Sequence, residues 1–341
     1  MIKMKNNPGI SIKTGLKMKD SAWIDVRCPR EFSRGHFTNA INIPIFSDAE
    51  YKQLGITYRI KGQEEAIKLG KSYAKKSTPH ILNQFSSLDS QNFIVYCARG
   101  GMRSKGMEII LNSSPNSIYR IDKGYKSIRK YSLNVFDQKN PVIIIAGSTG
   151  TGKTDILKNM RTKGYNIIDL EGLASHRGSA FGDLGLKEQP TQQQFENNLS
   201  IDWENIAKGH PVFIESESRR IGKLVIPEGL WNQMEAGYYL KINMNLDRRV
   251  NNLINEYGHH KINKLQDRVK KISKRLGATE TKDAINLLDD SNLFDFCKLL
   301  LNKYYDKMYG KAYEMRDSPK GTLDIENESN NDIIKRIVEL I

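Results

Sequence analysis

The segment VYCARGGMRSKG, residues 95–106, places a thiol among positive charges and flexible backbone. Cys97 follows an apolar run that favours a strand, and two glycines then allow a tight loop. Neighbouring cations and backbone amides lower the pKa of a cysteine, and the thiolate is its reactive form. With Arg99 and Arg103 nearby, Cys97 is predicted to be reactive, in a loop that also binds an oxyanion. The alternative is a buried structural cysteine at the end of a core strand.

The segment GSTGTGKT fits the phosphate-loop pattern G-x-x-x-x-G-K-[ST] in full. It follows the apolar run VIIIA and opens a helical stretch, which is the context that the pattern requires. Its amides would surround phosphate oxygens at the start of a helix, Lys153 would reach the outer phosphate, and Thr154 would ligate Mg²⁺. The residues predicted to bind phosphate or diphosphate are Gly147, Gly150, Gly152, Lys153 and Thr154. The pattern does not identify the group attached to the phosphates.

Polar residues after the neighbouring strands are predicted to support this phosphate site. Acidic groups there order Mg²⁺ or water in phosphate-loop proteins, and arginines in adjoining loops contact anions. The supporting residues are Asp169, Glu171, Arg177, Glu215, Arg219 and Arg220. The alternative for the three carboxylates, and for Arg219 and Arg220, is that they are surface residues without a role in the phosphate site. The sequence has no N-K-x-D guanine signature, so the phosphate loop alone does not define a GTPase or an ATPase.

Composition and cysteine usage limit the class of protein. The 341 residues suggest two domains, and 38% hydrophobic residues allow a packed core. The apolar runs are too short to cross a bilayer, and the N-terminus lacks the apolar core of a secretory signal. Three cysteines do not make a disulfide framework, and no cysteine and histidine set has zinc spacing. We therefore expect a soluble cytoplasmic protein with no membrane partner, no resident metal and no tightly bound cofactor.

The net charge of +14 is unevenly distributed. Residues 1–130 hold 23 lysines and arginines against 10 acidic residues, which suits a polyanion such as nucleic acid. Residues 248–275 hold nine lysines and arginines against two acidic residues. Within them a basic stripe recurs at helical spacing beside an apolar stripe, which predicts an amphipathic helix. The stripe consists of Lys264, Arg268, Lys271 and Arg275. The alternative is a charged face exposed only to solvent.

The order of the elements predicts an α/β fold class. Short strands mix with helical stretches up to about residue 133, and a polar linker ends at Pro141. The runs PVIIIAG, YNIIDLE and PVFIES then alternate with helical stretches, as in a parallel α/β sheet. The pattern is helical from about residue 248, and the polar tail from Asp317 is expected to be loose before a last short helix. The predicted domains are residues 1–133, 134–247 and 248–341, the last packed on the second.

The first domain resembles the rhodanese family. The segment IDVRCPREFSRGHFTNAINIP, residues 24–44, is similar to the opening strands of that family, and Cys97 falls where the active loop of the family begins. Rhodaneses carry sulfur on this cysteine as a persulfide. The loop from Cys97 to Arg103 reads C-x5-R, which is one residue longer than typical sulfurtransferase loops and equal to those of cysteine phosphatases.

A rhodanese domain joined to a phosphate-loop domain resembles the tRNA 2-selenouridine synthase family. CARGGMRS and GSTGTGKT are similar to its active loop and its phosphate loop, and DLEGLASHRGSAFG and ESESRRIG to two further segments, with looser matches at KRLG and YYDKMY. The resemblance implies a P-loop NTPase-like second domain and a transferase that converts 2-thiouridine at the tRNA wobble position to 2-selenouridine. A geranyl group from geranyl diphosphate would first be moved onto the sulfur. Selenium from selenophosphate would then replace the S-geranyl group.

The resemblance also implies roles for individual residues. The phosphate loop would hold the diphosphate, with Lys153 neutralising its charge. Cys97 would act as nucleophile or selenium carrier, while Arg99 and Arg103 hold its anionic partner. The basic stripe would contact the tRNA backbone. Two other interpretations are a rhodanese-fold cysteine phosphatase and an NTPase with a rhodanese module, and a third is a non-catalytic tRNA-binding protein.

Overall fold

The computed structural model describes residues 9–112, 116–207, 209–308, 321–326 and 328–341. The chain divides into two compact units. One consists of residues 1–135 and 191–201, and the other of residues 136–190 and 202–341. The first eight residues, which carry most of the signal-sequence argument, and Tyr309 of the YYDKMY match lie outside the described residues. In the described ranges, every helix is too short or too polar to cross a membrane.

The first unit is a parallel α/β domain. Its helices and strands, in chain order, are α1 (Ile12–Leu16), β1 (Ser21–Asp25), α2 (Pro29–Ser33), β2 (Ile41–Asn42), α3 (Asp48–Ser86, kinked at Gly62), β3 (Asn92–Tyr96), α4 (Met102–Ile110), β4 (Ser117–Arg120) and α5 (Tyr125–Asn134). The strands form one parallel sheet in the order β2-β1-β3-β4. Four of the five residues of β3 are buried, as expected for a strand covered on both faces. The short strands predicted in the first domain are confirmed, including the one that ends directly before Cys97.

A segment distant in sequence completes the first unit. Residues 191–201 belong to this unit, although they follow the phosphate loop in the chain. The amide of Asn197 donates to the carbonyl of His36 at 2.7 Å and to the Tyr125 hydroxyl at 2.9 Å. Arg129 pairs with Glu196. These buried polar contacts fix the segment against α5, and local sequence patterns do not predict them.

The second unit is also built on a parallel sheet. Its helices and strands, with the helix that carries the segment above, are β5 (Val142–Gly147), α6 (Lys153–Thr162), β6 (Asn166–Ile168), α7 (Leu170–Ala174), α8 (Gln192–Glu204), β7 (Val212–Glu215), β8 (Arg220–Ile221), β9 (Leu224–Val225), α9 (Glu228–Glu235), β10 (Tyr238–Met244), α10 (Leu246–Tyr257), α11 (Ile262–Leu276), α12 (Ala278–Asp289), α13 (Leu293–Leu300), β11 (Gly321–Ile325) and α14 (Asn330–Glu339). The five strands of its main sheet lie in the order β11-β10-β5-β7-β6. All six residues of β5 are buried, so the apolar run VIIIA forms a central strand as predicted.

Helices α10 to α13 form a second hydrophobic core in this unit. The apolar stripe of α11 is buried at Leu265, Val269, Ile272 and Leu276, which confirms the predicted amphipathic helix. The helical prediction for the region from residue 248 is correct as far as α13 and the turn that follows it.

The polar tail contains a strand, which the sequence pattern did not predict. Residues 321–325 form β11, which pairs in parallel with β10 at the edge of the sheet. Leu323 and Ile325 are buried, whereas their neighbours are exposed or half-buried. Two apolar residues in a polar segment are a weak strand signal, and the expectation of a loose tail is wrong for this stretch. Residues 317–320 lie outside the described ranges, and the predicted final helix is confirmed as α14.

Candidate active site: a cysteine loop and a phosphate loop

Cys97 follows β3 directly and starts the loop that leads into α4. The carbonyls of Cys97 and Ala98 accept hydrogen bonds from the amides of Tyr125 and Lys126, at 2.8 and 3.1 Å. Gly124 lies against this loop with a φ of +56°. A Cβ there would lie 2.1 Å from the carbonyl oxygen of Cys97, so the close approach requires glycine. The start of α5 therefore fixes the backbone of the cysteine loop.

The surroundings of the Cys97 thiol favour its thiolate form. The residue is only 3% exposed, and its Sγ lies 3.4 Å from the Ser104 hydroxyl. Burial by itself raises the pKa of the thiol. The Ser104 hydroxyl and amide, the Arg99 amide and the charge of Arg103 oppose this effect, and they hold the pKa below its ordinary value. A thiol with these partners ionises more readily than one buried among apolar side chains alone.

The two arginines of the loop occupy different environments. Arg99 is exposed. Arg103 forms a bidentate ion pair with Glu31, at 2.5 and 3.1 Å, and its guanidinium lies 4.7 Å from the ring centre of Tyr51. The Arg103 guanidinium, which was expected to hold an anionic partner, is thus already paired with the carboxylate of Glu31. Arg103 acts on Cys97 through its charge, whereas the Arg99 side chain is open to solvent. The sequence analysis did not single out Glu31.

The other two thiols have the opposite character. Cys28 is buried beside Glu31, with its Sγ 3.2 Å from a carboxylate oxygen, and Cys297 lies in the helical core. Burial raises the pKa of each thiol to about 12. Both therefore remain protonated near neutral pH.

The phosphate loop joins β5 to α6 and adopts left-handed backbone at two glycines. Gly150 has a φ of +85° and Gly152 a φ of +70°. The Lys153 ammonium donates to the carbonyl of Gly147 at 2.9 Å, so it folds back over its own loop. The structure thus brings together the predicted loop residues at the start of α6.

Two residues of α10 hold the carbonyls of this loop. The Arg249 guanidinium donates to the carbonyl of Thr149, and the Asn252 amide to that of Gly150, both at 2.8 Å. Arg249 is 7% exposed and is itself held by Asp306 through two hydrogen bonds. Sequence reasoning counted Arg249 only as one charge of a basic segment. Nothing in the sequence distinguishes Arg249 from the neighbouring Arg248.

Three carboxylates converge beside Thr154. The Thr154 hydroxyl lies 3.1 Å from an oxygen of Glu171 and 3.0 Å from an oxygen of Glu215, and the Glu171 amide donates to Glu215 at 3.0 Å. Glu217 also interacts with Glu171. Burial first, and then repulsion among the three groups, raises the pKa of each. The sequence offers all three as acids at strand ends, and Glu217 follows the same strand as Glu215, β7.

The remaining predicted residues around the phosphate loop separate into two groups. Asp169 caps α7 through the amide of Gly172, at 2.7 Å, and lines the cavity beside the loop. Arg177 also lines the cavity and pairs with Glu256 at 2.5 Å. Arg219 and Arg220 are exposed at the β8–β9 hairpin and lie outside the described lining of the cavity.

The basic stripe of α11 faces solvent at most of its positions. Lys264, Lys271 and Arg275 are exposed. Arg268 is 17% exposed and pairs with Asp183 at 3.0 Å. Three of the four predicted cations are therefore available to a polyanion, and the fourth is engaged within the protein.

The two units and their loops define a class of protein, a rhodanese-like domain joined to a phosphate-loop domain. A family model described as "Rhodanese-like domain" matches residues 11–131, and one described as "tRNA 2-selenouridine synthase AAA domain" matches residues 140–336. The predicted fold class, with its helical C-terminal region, is confirmed.

Three relatives named tRNA 2-selenouridine synthase are similar to most of the chain. The relative from Shewanella frigidimarina is 32% identical over 86% of this chain and 89% of its own length. The one from Shewanella sediminis is 33% identical over 86% and 88%, and the one from Nitrosomonas eutropha 34% identical over 74% and 67%. The chain belongs to the tRNA 2-selenouridine synthase family and is a transferase.

Proposed function

We propose that this enzyme converts wobble 2-thiouridine of tRNA to 2-selenouridine through S-geranyl-2-thiouridine. Its co-substrates would be geranyl diphosphate and selenophosphate. Family membership supports the overall conversion. The observation that carries the two-step route is the presence, in one chain, of a thiol with a lowered pKa and an intact phosphate loop.

The first step is alkylation of the tRNA sulfur. The sulfur forms a bond to the first carbon of the geranyl group, the carbon–oxygen bond to the diphosphate breaks, and the base loses its N3 proton. Negative charge then grows on the departing diphosphate. The amides at the start of α6 and the Lys153 ammonium are arranged to stabilise that charge. To reach it, Lys153 would exchange its contact with the Gly147 carbonyl for phosphate oxygens.

The second step replaces sulfur by selenium. Alkylation turns the thiocarbonyl sulfur into a group that departs as a thiolate. Selenide released from selenophosphate forms a bond to C2 of the base, the bond from C2 to sulfur breaks, and the geranyl thiolate departs. Cys97 would serve this step as nucleophile, because its pKa is lowered where those of the other two thiols are raised. Its thiolate would attack the phosphorus of selenophosphate, so that the selenium–phosphorus bond breaks and selenide leaves, and water would then hydrolyse the S-phosphocysteine to free phosphate. Arg99 and the loop amides would hold the phosphate-like co-substrate.

The residues beside the phosphate loop also fit a Mg²⁺ ion that arrives with the diphosphate. Thr154, Glu171 and Glu215 would hold it, since one oxygen of each glutamate lies within 3.1 Å of the threonine hydroxyl. Mg²⁺ at phosphate sites needs only one or two protein ligands, because phosphate and water complete its shell. When bound, the ion would neutralise diphosphate charge. Among the described residues, no group of three or more histidine, cysteine, aspartate or glutamate side chains is arranged to hold a metal ion by itself.

The proposed macromolecular substrate is tRNA, and the enzyme is proposed to act in the cytoplasm. The exposed cations of α11 would contact its backbone, where shape and charge are read more than sequence. The first unit, with its excess of lysine and arginine, is the other candidate platform.

Mass analysis of a tRNA that contains 2-thiouridine tests the proposal. Incubation with geranyl diphosphate alone should add one geranyl group, and selenophosphate added afterwards should replace S-geranyl by selenium. Three other results would contradict it. Phosphate release from an aryl phosphate would favour the phosphatase, and rapid ATP turnover without tRNA would favour the NTPase. Unchanged tRNA mass with both co-substrates would favour a binding protein.

A further inference from the structure

The cavity beside the phosphate loop has one polar end and one apolar wall. Its volume is about 720 Å³, within the usual range of small-molecule sites. The polar end consists of the phosphate loop, with Lys153 and the buried carboxylates. The apolar wall consists of Leu186, Leu253 and Tyr257. Such an arrangement suits a ligand with an anionic head and a hydrocarbon tail.

Helix α10 builds most of the apolar wall. Leu253 and Tyr257 are four residues apart and so share one face of the helix. The same helix supplies Asn252, which holds the phosphate loop at the carbonyl of Gly150. The wall is therefore placed at a fixed distance from the phosphate site.

The wall is supported from behind by the helical core. Leu253 is 6% exposed and belongs to that core, and Tyr257 packs edge-on against Phe181 with ring centres 6.1 Å apart. Leu186, which also lines the cavity, exposes 37% of its surface. An exposed leucine beside an anion site is a contact surface that a hydrocarbon tail would cover.

We propose that this wall is the binding surface for the geranyl chain, and that it selects an isoprenoid diphosphate over inorganic diphosphate and over nucleotides. This inference rests on the proposed function, since it names the place of the tail of the same co-substrate. The diphosphate lies at the phosphate loop, and the geranyl chain contacts Leu186, Leu253 and Tyr257, which line the same cavity.

Calorimetric titration of the full-length chain with geranyl diphosphate, dimethylallyl diphosphate and inorganic diphosphate tests the proposal. The wild type should bind them with affinity decreasing in that order, since each lost isoprene unit removes apolar contact. Leu186→Ser should weaken geranyl diphosphate about threefold to tenfold, and Leu253→Ala about tenfold or more. The affinity for inorganic diphosphate should stay unchanged in both, which also shows that the phosphate loop remains folded.

Leu340→Ser provides the matched control, because Leu340 is 44% exposed at the end of α14 in the same unit. This variant should bind all three ligands as the wild type does. Equal wild-type affinity for geranyl diphosphate and inorganic diphosphate would overturn the proposal. The proposal would also be overturned if Leu186→Ser changed the affinity for ATP and left the affinity for geranyl diphosphate unchanged. Failure of the proposed function is measured separately, because the mass of the tRNA would then show no added geranyl group.

Discussion

Alanine at Gly124 should disable the cysteine loop without removing any side chain from it. The new Cβ would lie 2.1 Å from the carbonyl oxygen of Cys97 and 2.5 Å from the amide nitrogen of Gly100. Ordinary contact needs about 3.5 Å, so the loop must move by about 1 Å or more. Misplacement of reacting groups by about 1 Å commonly costs on the order of 10²-fold in rate. Selenation by Gly124→Ala should fall by that order.

The pKa of the Cys97 thiol should change when the loop moves. The contacts that lower the pKa of Cys97 come from Ser104, from the Arg99 amide and from the charge of Arg103, and a displaced loop loses part of them. The pKa should therefore rise toward its ordinary value. Alkylation of Cys97 by iodoacetamide, followed by peptide mass analysis, should then show its rate midpoint at a higher pH than in the wild type. The other thiols should not interfere, because burial raises the pKa of each to about 12.

Gly62→Ala is the matched control in the same unit. Gly62 also has a positive φ, +83°, but a Cβ there meets nothing within 4 Å. The unfolding free energy of both variants should be lower by about 1–3 kcal/mol, because alanine strains the backbone at these φ values. Only Gly124→Ala should change the pH dependence of Cys97 alkylation. An unchanged alkylation profile in Gly124→Ala would refute the account of how the loop is positioned.

Three further predictions concern the division of labour in the chain. Cys97→Ser should keep geranyl transfer and lose selenation, and equal loss of both in a folded variant would show that the roles are wrongly assigned. Lys153→Ala should slow geranyl transfer on the order of 10²-fold, because one cation facing the diphosphate is lost, whereas selenation of pre-geranylated tRNA should be affected less. Equal loss on that substrate would indicate one shared site. Replacing the exposed cations Lys264, Lys271 and Arg275 by Gln should weaken tRNA binding and reduce the salt dependence by about one unit of slope per lost phosphate contact. Unchanged affinity and slope would leave the first unit as the tRNA platform.

Local sequence patterns were sufficient for the central strands and for both loops. Strand β3 and strand β5 are short, almost fully apolar runs, and each is followed by glycines that let the backbone turn. The period of α11 separated its buried face from its charged face. These features depend on neighbours within a few residues, which is why they can be predicted from sequence.

The contacts that tune the loops could not be predicted in this way. Glu31 reaches Arg103 across 72 residues, and Arg249 reaches the phosphate loop across 100. Each is a charged residue among many, and only the fold decides which is buried and paired. Residues 191–201 are a similar case, because their place in the first unit depends on hydrogen bonds to distant residues.

Isolated tRNA that already carries S-geranyl-2-thiouridine provides the most direct test of the proposed route. The wild-type enzyme should convert it to 2-selenouridine with selenophosphate and without geranyl diphosphate, releasing one geranyl thiol for each selenium incorporated. Mass analysis of the nucleosides and of the released thiol would measure both products. Selenium incorporation from 2-thiouridine tRNA without any geranyl diphosphate, together with no reaction of the geranylated tRNA, would contradict the account.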